Sequence, residues 1–170
     1  MRLDNYLVEK EIVDSRNKAQ TIIKEGLVSI NTKIIKKSSF KVEEGDEVSV
    51  QSYKQYVSRA AYKLLEFLEE LHLDLKDKVA LDIGSSTGGF TQVLLESGVK
   101  EVSAVDVGTA QLHKSLREDA RVYVYESCDI RKFESDKAFD LVVSDVAFIS
   151  LLHILDDVDR LSTNKIILLF

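Results

Sequence analysis

The glycine-rich segment at residues 81–91 is the strongest chemical signal in the chain. It reads Leu81-Asp82-Ile83-Gly84-Ser85-Ser86-Thr87-Gly88-Gly89-Phe90-Thr91. A predicted strand, Val79 to Ile83, leads into a glycine turn and then a predicted helix, which is how ligand-binding loops begin in doubly wound sheets. The spacing fits neither G-x-G-x-x-G nor a phosphate-binding P-loop. The acidic Asp82, two residues before the first glycine, would repel a pyrophosphate but suits a cationic ligand.

Acidic residues lie at the ends of four predicted strands in turn, and we expect them on one rim of the sheet. They are Asp82, Asp106, Asp129 and Asp145. Asp106 is placed to accept hydrogen bonds from ribose hydroxyls, and Asp129 could accept one from an exocyclic amine. S-adenosylmethionine carries a ribose, an adenine, an ammonium and a sulfonium, so it suits such a rim. The competing interpretation is that aspartates commonly cap helices and begin turns after strands.

The elements that would position these residues alternate between strand and helix from Lys78 onward. This alternation predicts a parallel sheet with helices on both faces. A helix is expected from Ser58, with Arg59 and Lys63 four residues apart on its polar face. A further helix is expected over Leu151 to Asp159, and a fifth strand over Ile166 to Phe170.

A smaller module is predicted over residues 1–50. Leu3, Tyr6 and Leu7 share one helix face, and Ser15 is the expected N-cap of a second helix that ends before Gly26. Short strands and turns follow, which predicts two helices leading into an antiparallel sheet. Residues 51–57 are the predicted linker. Its Tyr53 and Tyr56 are expected either to stack on bases or to pack between domains.

Charge is distributed unevenly along the 170 residues, whose net charge is −6. Residues 1–42 contain nine Lys and Arg against five acids, whereas residues 65–170 contain eleven against twenty. The basic head predicts a polyanionic partner for the first module, unless the clustering is accidental. The candidates for contacting such a partner are Arg2, Arg16, Lys18, Lys24 and Arg59.

Several classes of protein are disfavoured by composition. One cysteine, Cys128, rules out a disulfide framework within the chain and fits a reducing compartment, and three scattered histidines form no metal-ligand spacing. No apolar run approaches the length of a membrane span, and the first residues form no signal-peptide core. We therefore expect a cytoplasmic protein without a metal or a membrane partner.

Residues 1–50 resemble an S4 RNA-binding domain. The matching pieces are Arg2-Leu3-Asp4, Ser15-Arg16-Asn17-Lys18-Ala19, Ile23-Lys24-Glu25-Gly26, Val28-Ser29-Ile30-Asn31 and Glu44-Gly45-Asp46. Residues 57–170 resemble FtsJ-like ribose 2′-O-methyltransferases. The matching pieces are Ser58-Arg59-Ala60-Ala61-Tyr62-Lys63-Leu64, Asp82 to Thr91 and Ser144-Asp145-Val146-Ala147-Phe148-Ile149-Ser150. This arrangement of two domains is similar to that of the TlyA/hemolysin A family.

The resemblance implies a Rossmann-like α/β methyltransferase sheet preceded by a small α+β S4 domain. It implies 2′-O-methylation of cytidines in ribosomal RNA or ribosomal subunits, with S-adenosylmethionine as cofactor. Two members of the family's catalytic Lys-Asp-Lys-Glu tetrad align with Lys63 and Asp145. The cofactor positions are expected at Asp82, Gly84, Ser85, Gly88, Gly89, Phe90, Asp106 and Asp129.

The second lysine and the glutamate of that tetrad have no counterpart before Phe170. Lys165 is no substitute, because it is expected to precede the fifth strand and to lie at the opposite edge of the sheet. The last two strands of such a sheet are also missing, so we expect a C-terminally shortened chain that is inactive or binds cofactor poorly.

Other functions remain open at this point. The domain could bind RNA without catalysis, or the chain could be a membrane-lytic hemolysin, although it has no long amphipathic basic helix. A nicotinamide-dependent oxidoreductase is disfavoured by the glycine spacing. A pseudouridine synthase with an S4 domain would lack this glycine loop. For Lys63, the competing interpretation is an ordinary solvated helix face.

Overall fold

The structure is a computed structural model that describes residues 1–51 and 56–170. The chain forms two compact units, Met1–Gln55 and Tyr56–Phe170. Tyr56, within the expected linker over residues 51–57, is buried in the core of the second unit. Its hydroxyl donates to Glu96 at 3.1 Å, and packing therefore replaces the base stacking considered for Tyr56. Tyr53 lies outside the described residues.

The first unit places two short helices against a three-stranded antiparallel sheet of order β2-β1-β3. The Ser15 side chain accepts a hydrogen bond from the Lys18 N–H and so starts the second helix as predicted. The core contains the fully buried Leu3, Leu7 and Ile22. The elements are α1 (Leu3–Glu9), α2 (Arg16–Lys24), β1 (Val28–Ile30), β2 (Lys33–Ile34) and β3 (Val48–Val50).

The second unit contains a parallel sheet of order β6-β5-β4-β7-β8. Its strands are β4 (Val79–Ile83), β5 (Glu101–Val105), β6 (Val122–Tyr125), β7 (Phe139–Ser144) and β8 (Ser162–Leu168). Its helices are α3 (Ala60–Leu71), α4 (Gly89–Glu96), α5 (Lys114–Arg117), α6 (Phe148–Leu152) and α7 (Leu155–Leu161), with a 3₁₀ turn at Ile130–Lys132. The predicted alternation of strand and helix is confirmed.

Helices cover both faces of this sheet because its strands are apolar on both sides. Successive residues of β4 point to opposite faces: Ala80 packs with Leu64 and Leu94 of α3 and α4, and Leu81 packs with Leu151 and Val158 of α6 and α7. Every strand is parallel, so all five carboxyl ends lie along one edge, which we call the carboxyl rim.

Two predicted elements differ from the structure. The helix expected over Leu151 to Asp159 is divided into α6 and α7. Lys165 lies inside β8, where it pairs with Leu141, and does not precede the strand as expected. It still lies three residues before the end of β8 at Leu168, well below the carboxyl rim. None of the helices in the described residues is long and apolar enough to cross a membrane.

Candidate active site

The glycine turn brings backbone close to neighbouring side chains at both of its ends. Gly84 has a φ of +74°, and a Cβ atom there would lie 2.7 Å from Cγ1 of Val146. A Cβ at Gly88 would collide with Leu116, and one at Gly89 would collide with the Ser58 hydroxyl. The turn therefore requires glycine for conformation at its start and for close packing at its end.

The remaining predicted residues of the turn are mostly buried. Phe90 lies in the core cluster beneath α4, and Ser85 is also buried. The Gly84 N–H donates to the Val105 carbonyl at 2.8 Å, which ties the turn to the end of β5. The backbone of the turn is thereby fixed before any ligand arrives.

Asp82 was expected on the carboxyl rim facing a cationic ligand, whereas the structure buries its carboxyl group. It lies within β4, is only 1% exposed, and accepts a 2.7 Å hydrogen bond from the Thr91 hydroxyl. Burial raises the pKa of Asp82 to about 7, and the negative charges of Asp106 and Asp145 act in the same direction. Asp82 connects β4 to α4 and lies beneath the turn.

This raised pKa predicts a pH-dependent stability that one substitution removes. Folded Asp82 retains its proton up to about pH 7, whereas the unfolded carboxyl loses it near pH 4. Its contribution to the free energy of unfolding therefore falls as the pH rises between those values and is constant above them. As the pH rises from about 4.5 to 8, wild type should lose about 3 kcal/mol of unfolding free energy that Asp82→Asn keeps, because the variant has no carboxyl to titrate at this position. Urea unfolding at the two pH values measures this, and parallel pH profiles would contradict it.

Asp106 directly follows β5 and faces the glycine turn. Its two carboxylate oxygens accept from the Ser86 N–H at 2.8 Å and the Gly108 N–H at 2.7 Å. Each oxygen keeps further acceptor capacity. Asp106 is thus held rigidly at the carboxyl rim, as its sequence position predicts.

Asp129 follows β6, but its carboxylate is already occupied. Arg131 donates from Nε to both oxygens at 3.0 Å and from Nη2 to one of them. The Arg131 N–H also donates to this carboxylate, which caps the 3₁₀ turn. The Arg131 guanidinium holds the pKa of Asp129 at about 2. An adenine amine that bound Asp129 would share or displace its contact with Arg131. The sequence did not predict that contact.

A cleft of about 550 Å³ opens between these loops. Its wall is largely apolar, and Asp106 and Asp129 provide its carboxylates. A second cleft of about 220 Å³ lies beside the turn, and Gly84 lines both. The smaller cleft is lined by Ser58, Ala60, Asp82, Gly84, Ser85, Ser86, Thr87, Gly89, Phe90 and Asp145.

Lys63 and Asp145 meet beside the smaller cleft although 82 residues separate them in sequence. The Lys63 Nζ donates to Asp145 Oδ1 at 2.8 Å. Lys63 is 52% exposed and Asp145 22% exposed, so the pair is accessible to a large substrate. Lys63 in α3 and Asp145 directly after β7 therefore form an ion pair at the carboxyl rim.

The predicted RNA-binding residues lie on the surface of their units. Arg2, Arg16 and Lys24 are exposed, and Lys18 is partly buried and pairs with Asp14 at 3.3 Å. Arg59 is exposed directly before α3. Among the described residues, no group of His, Cys, Asp or Glu could hold a metal ion.

Sequence reasoning missed three groups that shape the site. Arg131 occupies Asp129, Val146 closes over Gly84, and Ser58 packs against Gly89. Ser58 and Val146 stand in the segments that carry the family resemblance, but Arg131 has no local signal beyond its position two residues after an acid.

Comparison with known families separates the chain into the same two parts. An S4 domain matches residues 1–48, and an FtsJ-like methyltransferase domain matches residues 56–170. The 23S rRNA (cytidine-2′-O)-methyltransferase TlyA of Campylobacter jejuni is 42% identical over the whole chain, which spans 74% of that relative. The 16S/23S rRNA (cytidine-2′-O)-methyltransferase TlyA of Mycobacterium tuberculosis is 39% identical over 91% of the chain.

The solved structures agree with this assignment. A hemolysin structure from Streptococcus thermophilus superposes with a TM-score of 0.61 and 35% identity over 96% of the chain. The chain spans 62% of that protein and 59% of the Mycobacterium relative, so it is shorter than the proteins it matches. On both sequence and structure, the chain belongs to the TlyA family of methyltransferases, which joins an S4 domain to an FtsJ-like domain.

Proposed function

We propose that this protein methylates the 2′-hydroxyl of cytidines in ribosomal RNA, using S-adenosylmethionine as the methyl donor. The observation that supports this best is the Lys63–Asp145 pair, 2.8 Å apart beside the glycine turn. The relatives named as cytidine 2′-O-methyltransferases support the same reaction. The proposed substrate makes the cytoplasm the expected site of action.

The two clefts suit the chemistry of this cofactor. In the larger one, apolar side chains such as Val107 and Ile130 could contact an adenine, and the fixed Asp106 carboxylate could accept from the ribose hydroxyls. In the smaller one, the turn backbone and its serines could bind the amino-acid portion, since small residues leave room for it. When bound, S-adenosylmethionine would supply a methyl group activated by its sulfonium.

Lys63 and Asp145 would act on the ribose. A 2′-hydroxyl is a weak nucleophile at neutral pH, so it must be held in line with the methyl group and its developing negative charge must be stabilised. The Lys63 ammonium could donate to the 2′-oxygen and stabilise that charge. As the 2′-oxygen takes the methyl group and the bond from carbon to sulfur breaks, the hydroxyl proton would pass to solvent water, and the sulfonium would become the neutral thioether of S-adenosylhomocysteine. Asp145 fixes the direction of the ammonium through the observed hydrogen bond. Lys63 is therefore the proposed catalytic residue, and Asp145 orients it.

The first unit would provide affinity for the RNA. Lys and Arg side chains neutralise phosphates and release counterions, so binding should weaken as salt rises. Arg2, Arg16, Lys18 and Lys24 are the proposed contacts in this unit, and Arg59 is the proposed contact near α3. Structured RNA is recognised largely through its shape, phosphates and 2′-hydroxyls, which suits a surface of this kind.

Calorimetric titration of the chain tests the proposed cofactor. We expect binding of S-adenosylmethionine and S-adenosylhomocysteine but not of NAD, because the glycine spacing and Asp82 disfavour a pyrophosphate. Transfer of labelled methyl groups to 16S and 23S ribosomal RNA, followed by mapping of 2′-O-methylated cytidines, tests the reaction. Both measurements are made on the chain and on a fusion that adds the C-terminal segment of the Campylobacter relative. RNA binding without transfer by the fusion would favour a non-catalytic domain, and absence of cofactor binding by both proteins would contradict the proposal.

A further inference from the structure

The first unit contains one fully buried carboxylate that faces two arginines. Asp4 is 0% exposed and lies in the first turn of α1. Arg2 donates to it through Nε and Nη2, each at 3.0 Å, in a bidentate arrangement. Arg16 donates through Nε at 3.0 Å, and Gln20 donates through Nε2 at 3.1 Å. The residue before α1 and two residues of α2 thus meet at one carboxylate.

This carboxylate fixes the two guanidinium groups as a pair. Arg2 Nη2 and Arg16 Nε each lie 3.0 Å from the same oxygen, Oδ2, so these nitrogens are no more than 6.0 Å apart. The carboxylate occupies only two N–H groups of Arg2 and one of Arg16, and each guanidinium has five. The arginine side chains remain 44% and 55% exposed. Most of their donors are therefore available to an outside acceptor.

The arrangement is stable as an ionised cluster. The hydrogen bonds from Arg2, together with those from Gln20 and Arg16, hold the pKa of Asp4 far below its usual range. Asp4 is consequently charged at any physiological pH, and the trio carries a net charge of +1. Apolar contacts of Leu3, Leu7 and Ile22 already form the core of the unit. The ion cluster therefore adds polar contacts between α1 and α2 to an apolar core that already joins these helices.

An acid in this place needs an explanation, because it removes positive charge from a surface expected to bind a polyanion. Freely rotating arginines lose side-chain entropy when they bind, whereas arginines held in place lose less. We propose that Asp4 is a positioning residue for RNA binding: it holds Arg2 and Arg16 as a preorganised pair of donors for RNA backbone phosphates. This inference rests on the RNA-binding part of the proposed function.

Asp4→Asn distinguishes two interpretations, because they predict opposite changes in RNA affinity. If charge alone matters, Asp4→Asn makes the cluster more positive and tightens RNA binding. If Asp4 positions the arginines, the same change should weaken binding roughly three- to tenfold and reduce the salt dependence, because fewer phosphate contacts form. Glu9→Gln removes an exposed acid from the same helix and should leave the affinity unchanged or slightly higher.

Filter binding of the 170-residue chain to transcribed 16S and 23S ribosomal RNA fragments provides the measurement, from about 50 to 200 mM salt. Partial unfolding would raise the apparent Kd by the inverse of the folded fraction, so the folded fraction of each variant is measured by circular dichroism and the Kd is corrected for it, whereas the salt slope would not change. Arg16→Lys keeps the charge and removes the fork, so it should also weaken binding, by roughly threefold. It keeps the inference falsifiable if Asp4→Asn fails to fold, because unchanged affinity for Arg16→Lys would overturn it.

The outcomes separate this inference from the proposed function. Wild-type binding with equal or tighter binding by folded Asp4→Asn, or unchanged affinity for Arg16→Lys, would overturn the positioning role alone. Absence of wild-type binding to either RNA would overturn it together with the proposed RNA-binding role. Weakened binding by Asp4→Asn beside unchanged binding by Glu9→Gln supports it.

Discussion

Lys63→Ala should abolish methyl transfer to ribosomal RNA while S-adenosylhomocysteine still binds with nearly wild-type affinity. The side chain is half exposed and contributes its ammonium to Asp145 at the edge of the smaller cleft, outside the glycine turn. Its removal eliminates a group that would hold and activate the 2′-oxygen. Losses of at least about 100-fold are usual for such groups.

The measurement combines transfer of labelled methyl groups with calorimetric titration of the cofactor product. Because the chain spans 74% of the Campylobacter relative, both should be run on the chain and on a fusion that adds the relative's C-terminal segment. Lys100→Ala removes an exposed lysine directly before β5, at the opposite edge of the sheet, and should transfer normally. Substantial transfer by Lys63→Ala would refute its catalytic role.

Gly84→Ala should weaken cofactor binding at least about tenfold. Its φ of +74° is unfavourable for alanine, and the new Cβ would approach Val146 Cγ1 to 2.7 Å. Gly84 lines both clefts, so any backbone shift that relieves this contact alters the walls of each. Calorimetric titration with S-adenosylhomocysteine measures the change in affinity.

Gly98 provides a matched control for this substitution. It has a φ of +87°, but a Cβ there would come no closer than 3.8 Å to Lys76, far from the clefts. Gly98→Ala should therefore lose about 1 kcal/mol of stability through backbone strain and keep full cofactor affinity. Adding Val146→Ala to Gly84→Ala should restore part of the binding. Equal loss of affinity in both single variants would indicate a general folding defect.

Regular elements of this protein were predictable because their patterns are local. The strand Val79–Ile83 matches its prediction, and Ser15 caps α2 through a side chain that lies three residues from its partner. The division of the last helical segment into α6 and α7 was not predictable from apolar spacing, since both parts contribute residues to the same core cluster. Lys165 was misplaced because the start of β8 is polar and mostly exposed, although Ser162 and Lys165 both pair with β7 across a register shift.

The site was predictable in position but not in protonation or pairing. Strand ends placed Asp106 and Asp145 at the carboxyl rim, and the family resemblance identified Lys63. No sequence pattern shows that Asp82 points into the interior toward Thr91, because that depends on which face of β4 the side chain occupies. The capture of Asp129 by Arg131 depends on the 3₁₀ turn between them, which is too short to leave a periodic signal.

Ion pairs between segments distant in sequence could also not be predicted from the sequence. Asp4 reaches Arg16 and Gln20 only because α1 and α2 pack side by side, and a charge count treats all three as separate surface groups. The first-unit sequence indicated a basic character correctly, but the arrangement of that charge emerges from tertiary packing.

The strand order has a consequence for how this fold can diversify. The chain runs outward from β4 through β5 and β6, then returns to β7 and β8 on the other side. The loops that line the larger cleft with carboxylates come mainly from the first direction, and Asp145 comes from the second. Substitutions in α3 could therefore change the substrate side of the site without altering the loops after β4, β5 and β6, whereas the β7 loop serves both sides because its Val146 and Ala147 also line the larger cleft.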